Sequence, residues 1–278
     1  MQIEERQEGA QRVLKDLYRK GYIETLYNTQ KPRHQQGGWL LMSCEWSPWY
    51  FNLRPVGASP EIVSDISFLM NHMVRDEVPG VTQITGIEMA GIPLVSAMAV
   101  AQGPGCELIP YSYTRSFPGR YAKPTNLEDA KSVLSLMDEE YGYGSKELVE
   151  GRFHNGDIIC ITDDMVTTFA SKAIAKLKVE YELRRRGVED VSLDHVAVVL
   201  DREVGAAEEA EKLGMYLHAL IKFNTYGLGW LKDDMIPEEH ELICDYQKDP
   251  KKYSYADGET LRQKVIDEAN RIMGRKFK

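Results

Sequence analysis

The sequence predicts an α/β protein with a mainly parallel central sheet flanked by helices. Three observations carry this expectation. Segments such as GDIICITDD and LDHVAVVLD are nearly unbroken apolar runs, the pattern of strands buried on both faces. Such runs alternate with stretches of helical spacing, and strand–helix alternation is how parallel sheets are built. The two best strand candidates also end in acids, Asp163-Asp164 and Asp201, on the side where open α/β sheets bind ligands.

The elements follow in order. From Ile3 to Tyr27, Val13, Leu14, Leu17 and Tyr18 fall at helical spacing and predict an amphipathic helix. A polar, basic loop, TQKPRHQQGG, comes next. The stretch GWLLMSCEWSPWYFNLRPV contains two short apolar runs broken by Ser-Pro and predicts a pair of strands. Ser59-Pro60 starts a helix whose apolar face is Ile62, Ile66, Leu69 and Met70. VTQITGI then reads as a strand, GIPLVSAMAVAQ as a helix and CELIPYSY as a strand. GDIICITDD is followed by a long helix, TFASKAIAKLKVEYELRRRG, closed by Gly187. LDHVAVVLD, the helix GAAEEAEKLG and the strand MYLHALIKF complete the alternation, the last either ending there or running into a helix. Residues 116–146 interrupt it with a long polar segment whose centre, Leu127 to Met137, predicts a short helix. The charged tail from Leu231 to Lys278 reads as helical.

Composition narrows the function. A chain of 278 residues with 43% hydrophobic and 28% charged residues is long enough for one large domain with a small appendage. A net charge of -9 argues against general nucleic-acid binding, which needs clustered Lys and Arg, but allows a local site for a small phosphorylated substrate. Cys44, Cys106, Cys160 and Cys244 form no CxxC pair and no zinc spacing, and Cys160 sits in an apolar run as a core residue. With no signal-peptide-like start and no membrane-length apolar run, the expected setting is the cytoplasm, without membrane attachment.

The most informative stretch is DIICITDDMVTTFASKAIAKL. A buried strand delivers two consecutive carboxylates, a Thr-rich turn follows, and a helix begins. Carboxylates accept hydrogen bonds from a sugar diol, while turn amides and a helix N-terminus suit a phosphate. Thr167, Thr168 and Ser171 add hydroxyl donors. The order suggests a ribose 5-phosphate cradle. An acid pair followed by Thr is also an ordinary helix-capping arrangement.

This segment resembles the ribose-phosphate signature of type I phosphoribosyltransferases. Four separated pieces resemble orotate phosphoribosyltransferase in that family's order: SPWYFNLRPV, GIEMAGIPLVSAMA in the place of its diphosphate loop, LVEGRFHNGDIICITDDMVTT, and VVLDREVGAAEEAEKLGMYLHAL. The resemblance implies the type I phosphoribosyltransferase fold, with a small N-terminal hood region and a helical C-terminal extension. The expected division is a phosphoribosyltransferase domain at 1–230, carrying the 116–146 insertion, and an extension at 231–278.

The resemblance also implies roles. The substrates would be 5-phosphoribosyl diphosphate and orotate, the products orotidine 5-phosphate and diphosphate, and the assembly a homodimer. Asp163 and Asp164 would hold the ribose hydroxyls, directly or through Mg²⁺-bound water. Mg²⁺ would come through the substrate diphosphate, with no direct protein ligand. Thr167, Thr168, Phe169, Ala170 and Ser171 would line the 5-phosphate, and Met165, Val166, Met89 and Ala90 would also bind 5-phosphoribosyl diphosphate. Tyr50 and Phe51 would lie beside the pyrimidine, one of them a core residue by strand alternation. Thr167 and Arg202 would contact the base, Arg202 pairing with orotate's acid group unless it forms a surface ion pair with Glu203. Arg115 and Arg120 would join the acid pair as catalytic groups.

The departures fall on the diphosphate side. The loop after its opening Gly reads Glu88-Met89-Ala90-Gly91, where the family offers polar side chains. Met42 replaces a Lys, and Phe169 replaces a Gly that lets backbone approach phosphate. The family's mobile catalytic loop carries lysines and a His. Here the corresponding region is Thr114-Arg115-Ser116-Phe117-Pro118-Gly119-Arg120, with Lys123 further on. The 116–146 segment is either a lid or a decoration or dimer contact. Two alternatives stand beside orotate transfer: a phosphoribosyltransferase for another base, and a nucleotide-sensing protein of the same fold.

Overall fold

The structure is a computed structural model describing residues 1–30, 37–41, 45–121, 123–139, 147–254 and 258–275. Met42 and Cys44 lie outside the described residues, as do parts of the basic loop and of the 116–146 segment. In chain order the elements are α1 (Ile3–Arg19), β1 (Ile23–Thr25), β2 (Trp39–Leu40), β3 (Trp46–Ser47), β4 (Trp49–Phe51), α2 (Pro60–Glu77), β5 (Gln83–Gly86), α3 (Gly91–Val100), β6 (Tyr111–Thr114) and α4 (Leu127–Glu139). There follow β7 (Val149–Glu150), β8 (Ile158–Val166), α5 (Ala170–Arg186), β9 (Ser192–Asp201), α6 (Ala206–Lys212), β10 (Tyr216–Lys222), α7 (Leu228–Leu231), α8 (Pro237–Lys248) and α9 (Glu259–Ile272). The chain divides into two compact units, Met1–Ala10 with Ser59–Phe223, and Gln11–Ala58 with Asn224–Lys278.

The first unit is built on a six-stranded sheet of order β10-β9-β8-β5-β6-β7. All neighbours are parallel except β7, which pairs antiparallel with β6 at the edge. The chain steps from β5 outward to β6, returns across β5 to β8, then continues outward through β9 and β10. The reversal lies between β5 and β8, and in open α/β sheets the crevice beyond the strand ends at such a point receives ligands.

One face of the sheet carries α4, α5 and α6. Its core joins Ile159 and Ile161 of β8, Val196 and Val198 of β9, Ala173 and Val179 of α5, and Val133 and Met137 of α4, all buried. α3 packs on the strands and on α2. The second unit contains two small antiparallel pairs, β1 with β4 and β2 with β3, together with α7, α8 and α9.

Several expectations need correction. The opening helix ends at Arg19, not near Tyr27. Gly21 takes φ +77, Tyr22 N–H donates to Leu17 at 2.8 Å and Gly21 N–H to Tyr18 at 3.0 Å, a Schellman closure. The chain then turns into β1. The Trp-rich stretch forms three short strands, because Ser47 and Trp49 pair with different partners. CELIPYSY is a strand only from Tyr111, after Pro110. MYLHALIKF, by contrast, takes one of its two expected forms, a strand to Lys222 that runs into a π-helical turn.

Candidate active site

β5 stops at Gly86, in register with Tyr113 of β6 and Thr162 of β8. β6 continues to Thr114 and β8 to Val166, so the loop 87–90 fills a notch between them. Two glycines make this possible. A Cβ on Gly86 would lie 2.7 Å from the Gly91 carbonyl oxygen, and one on Gly91 would lie 2.7 Å from the Thr162 oxygen. Only bare backbone lets the start of α3 fold back onto β8. Ile87 N–H donates to the Thr162 oxygen at 3.0 Å, which seats the loop beside the acid pair.

Side chains alternate along β8. Asp163 shares the face of Ile159 and Ile161 and points toward α5, and it is buried. There the buried Lys172 Nζ lies 2.8 Å from Asp163 Oδ2 and 2.5 Å from the Met165 carbonyl oxygen. Asp163 Oδ1 accepts the Asp164 amide at 3.0 Å. The first acid is thus a neutralised brace, and the half-buried Asp164 is the carboxylate with capacity left. Burial first, then the neighbouring Asp163 charge, push the Asp164 carboxyl up to about 7.

Thr167 is half-buried and Thr168 exposed, and Phe169 ends the turn before α5, with Ser171 exposed in its first helical turn. First-turn amides lack intrahelical acceptors and point out of the helix end. Phe169 does not force the conformation that a glycine would serve. Its φ is -82 and ψ -6, its ring is fully buried in the core, and only its backbone faces the turn. Its amide donates at 2.7 Å to Glu209 Oε2 of α6, so a carboxylate of the chain itself holds one donor of the turn. Across the turn, Val166 is in register with Asp201, and Arg202 N–H donates to the Val166 oxygen at 3.2 Å. Arg202 is 4% exposed and lies beside the turn.

On the diphosphate side, Met89 is 78% exposed at the loop tip, Ala90 is half-buried and the Glu88–Met89 peptide is cis. Arg115 follows β6 and pairs with Glu150 at 2.5 Å. Arg120 is exposed and lies 5.0 Å from the Tyr121 ring centroid. Sequence reasoning missed a second buried lysine, Lys178 of α5. Its Nζ lies 2.8 Å from Glu88 Oε1, 2.7 Å from the Arg115 carbonyl oxygen and 4.7 Å from the Phe117 ring centroid. Burial pulls its ammonium below the usual lysine range, opposed by Glu88. Lys172 and Lys178 left one signal in the sequence: they fall in phase with the apolar Ala175 and Val179 rather than opposite them.

Tyr50 and Phe51 belong to the second unit. Phe51 is buried there, while Tyr50 is half-buried and stacks on Trp39 with ring centroids 6.2 Å apart. A cleft of about 480 Å³, lined by Lys176, Glu180, Arg184, Asp190 and Asp194 among others, lies where α5 ends and β9 begins. It is at the opposite end of the sheet from the acid pair.

No family model matches the chain. Over 214 residues it is 29% identical to the orotate phosphoribosyltransferase of Sulfolobus acidocaldarius, covering 76% of this chain and 88% of that protein. It is 25% identical to the orotate phosphoribosyltransferase of Methanocaldococcus jannaschii, covering 66% of this chain and 84% of the relative. The structure is similar to that of orotate phosphoribosyltransferase from Aeropyrum pernix, with a TM-score of 0.52 at 19% identity, covering 80% of this chain and 98% of that one. The type I phosphoribosyltransferase fold expected from the sequence is the fold observed, and the resemblance first read in four motifs extends over most of the chain.

Proposed function

We propose that the protein is an orotate phosphoribosyltransferase, transferring the 5-phosphoribosyl group from 5-phosphoribosyl diphosphate to orotate and releasing diphosphate and orotidine 5-phosphate. The observation that carries this reading is the acid pair at the carboxyl end of β8. It borders the sheet's switch point and leads directly into the turn at the start of α5. It stands in a chain similar over most of its length to enzymes of that name.

Each group has a part in the transfer. Asp164 accepts hydrogen bonds from the ribose hydroxyls. Asp163, held by Lys172, fixes Asp164 through its amide. The amides and hydroxyls from Thr167 to Ser171 take the 5-phosphate. Arg202 pairs with the base carboxylate next to Thr167. The bond from the anomeric carbon to diphosphate oxygen breaks as the base nitrogen bonds to that carbon, so positive charge develops on the ribose and negative charge on diphosphate. Fixing the two reactants in line is the larger part of such catalysis. Arg115 and Arg120 are the nearby cations for the departing charge. The residues present also fit Mg²⁺, which is commonly bound through one or two carboxylates plus substrate phosphate oxygens. Here Asp164 would meet the ion through its bound water, and the ion would offset diphosphate charge.

Among the described residues no helix is long and apolar enough to cross a membrane. A cytoplasmic homodimer belongs to this reading, and sedimentation in solution checks the dimer.

The test is an assay with 5-phosphoribosyl diphosphate, Mg²⁺ and orotate, run beside other bases. Orotidine 5-phosphate formation is expected. Diphosphate release with another base alone would reassign the substrate. Tight binding of 5-phosphoribosyl diphosphate with turnover on no base would favour the nucleotide-sensing alternative.

A further inference from the structure

Glu88 presents a problem for the proposed function. A carboxylate opens the loop that fills the notch beside Asp163 and Asp164, where a polyanionic diphosphate is to bind. Like charges in one partly buried site repel strongly.

The structure contains an answer. The Glu88 carboxylate is turned away from the loop tip. One oxygen accepts from the Thr114 hydroxyl and the other lies 2.8 Å from Lys178 Nζ. The Glu88 amide donates back to Thr114 Oγ1 at 3.1 Å. Lys178 is 4% exposed, and its Nζ also meets the Arg115 carbonyl and the Phe117 ring. One buried ammonium thus joins the loop after β5, the first residue after β6 and helix α5.

Resting on the phosphoribosyltransferase reading, we infer that Lys178 is a positioning residue for the diphosphate half of the site. It cancels the Glu88 charge and keeps that carboxylate off the diphosphate. It does not touch the ribose phosphate, which the first turn of α5 serves, about two helical turns away.

Two ligands separate the halves. Ribose 5-phosphate uses only the cradle, while 5-phosphoribosyl diphosphate uses both parts. Titration calorimetry with Mg²⁺ is run on the wild type, Lys178→Met, Glu88→Gln and the Glu88→Gln/Lys178→Met double variant. Lys178→Met is expected to weaken 5-phosphoribosyl diphosphate by about tenfold or more, since an unpaired Glu88 then faces the anion. Ribose 5-phosphate affinity should stay unchanged. Glu88→Gln should not weaken either ligand. The double variant should return to within about threefold of wild type, because removing both partners leaves no buried charge.

Equal loss of both ligands in Lys178→Met would show damage to the fold and overturn the inference. So would unchanged diphosphate-substrate affinity. Should Lys178→Met fail to fold, the double variant decides: near-wild-type binding supports the inference, and selective loss of 5-phosphoribosyl diphosphate sinks it. Wild-type protein that binds neither ligand would instead overturn the functional reading beneath it.

Discussion

At the scale of single residues, Asp164 sets function against stability. Its carboxyl is pushed up to about 7 by burial and by Asp163. The folded state therefore holds a proton that the unfolded chain has released above about pH 4. Stability falls as pH rises from there through about 7, and the whole deficit is present at pH 8. The diol needs the ionised form, so substrate affinity should strengthen over the same rise. Asp164→Asn is expected to raise Tm by at least about 2 °C at pH 8 and by less at pH 5. The same variant should lose about tenfold or more in affinity for 5-phosphoribosyl diphosphate. Melting curves at both pH values and one titration check it, and a Tm gain that does not depend on pH would refute the linkage. Glu209 offers a second test. Its exposed carboxylate sits on the Phe169 amide that a phosphate would want. Displacing it costs a charge-assisted hydrogen bond, so Glu209→Gln should tighten ribose 5-phosphate by about threefold, corresponding to roughly half a kcal/mol or more. Weaker binding would mean that Glu209 builds the turn instead of competing for it.

At the scale of elements, α5 organises the site. Its leading turn offers donors, Lys172 braces Asp163, and Lys178 holds Glu88. Phe169 anchors the start of this helix with a ring in the core. Restoring a small residue there is not expected to improve the phosphate turn. Phe169→Ala should cost about 3–5 kcal/mol of stability through the cavity it leaves, and denaturant unfolding measures this directly. A loss below about 1 kcal/mol would show that the ring is not the anchor. The same helix shows what was legible in the sequence. β8 and β9 read clearly because strands covered on both faces leave long apolar runs, and Gly187 marked the helix end. The roles of Lys172 and Lys178 were not legible: their phase with the apolar residues was only a hint, lysines on a helix ordinarily mean a solvated face, and only the fold brings Asp163 and Glu88 to them. β1 to β4 were blurred because strands of two or three residues hold too few side chains to show a period. The acid pair was legible as chemistry, but its division into a neutralised brace and a working carboxylate depended on a partner nine residues away.

At the scale of the whole molecule, two segments far apart in the chain build one unit. Gln11–Ala58 and Asn224–Lys278 belong together by compactness, and their polar groups are matched across that distance. Tyr18 donates to Glu239 at 2.8 Å and the Thr25 hydroxyl donates to the same buried carboxylate. Arg19 pairs with Asp234 at 2.7 Å. Arg275 donates to the carbonyl oxygens of Leu26 at 2.6 Å and Thr29 at 2.8 Å. Trp46 stacks on Tyr253 with ring centroids 5.6 Å apart. Such a unit has no independent N-terminal half. The expected extension at 231–278 can therefore be tested by removing it. A chain ending at residue 230 would leave Tyr18, Thr25 and the carbonyls of Leu26, Tyr27 and Thr29 without their Glu239 and Arg275 partners and Trp46 without its cover. Each buried polar group left unsatisfied costs about 1–3 kcal/mol, and the exposed aromatic surface adds to it. A few such losses consume the whole stability of an ordinary domain, about 5–15 kcal/mol. The truncated chain is expected to be insoluble, or to lose the near-ultraviolet circular dichroism of its tryptophans. A soluble 1–230 chain with wild-type near-ultraviolet signal would show that the N-terminal segment folds without its C-terminal partner.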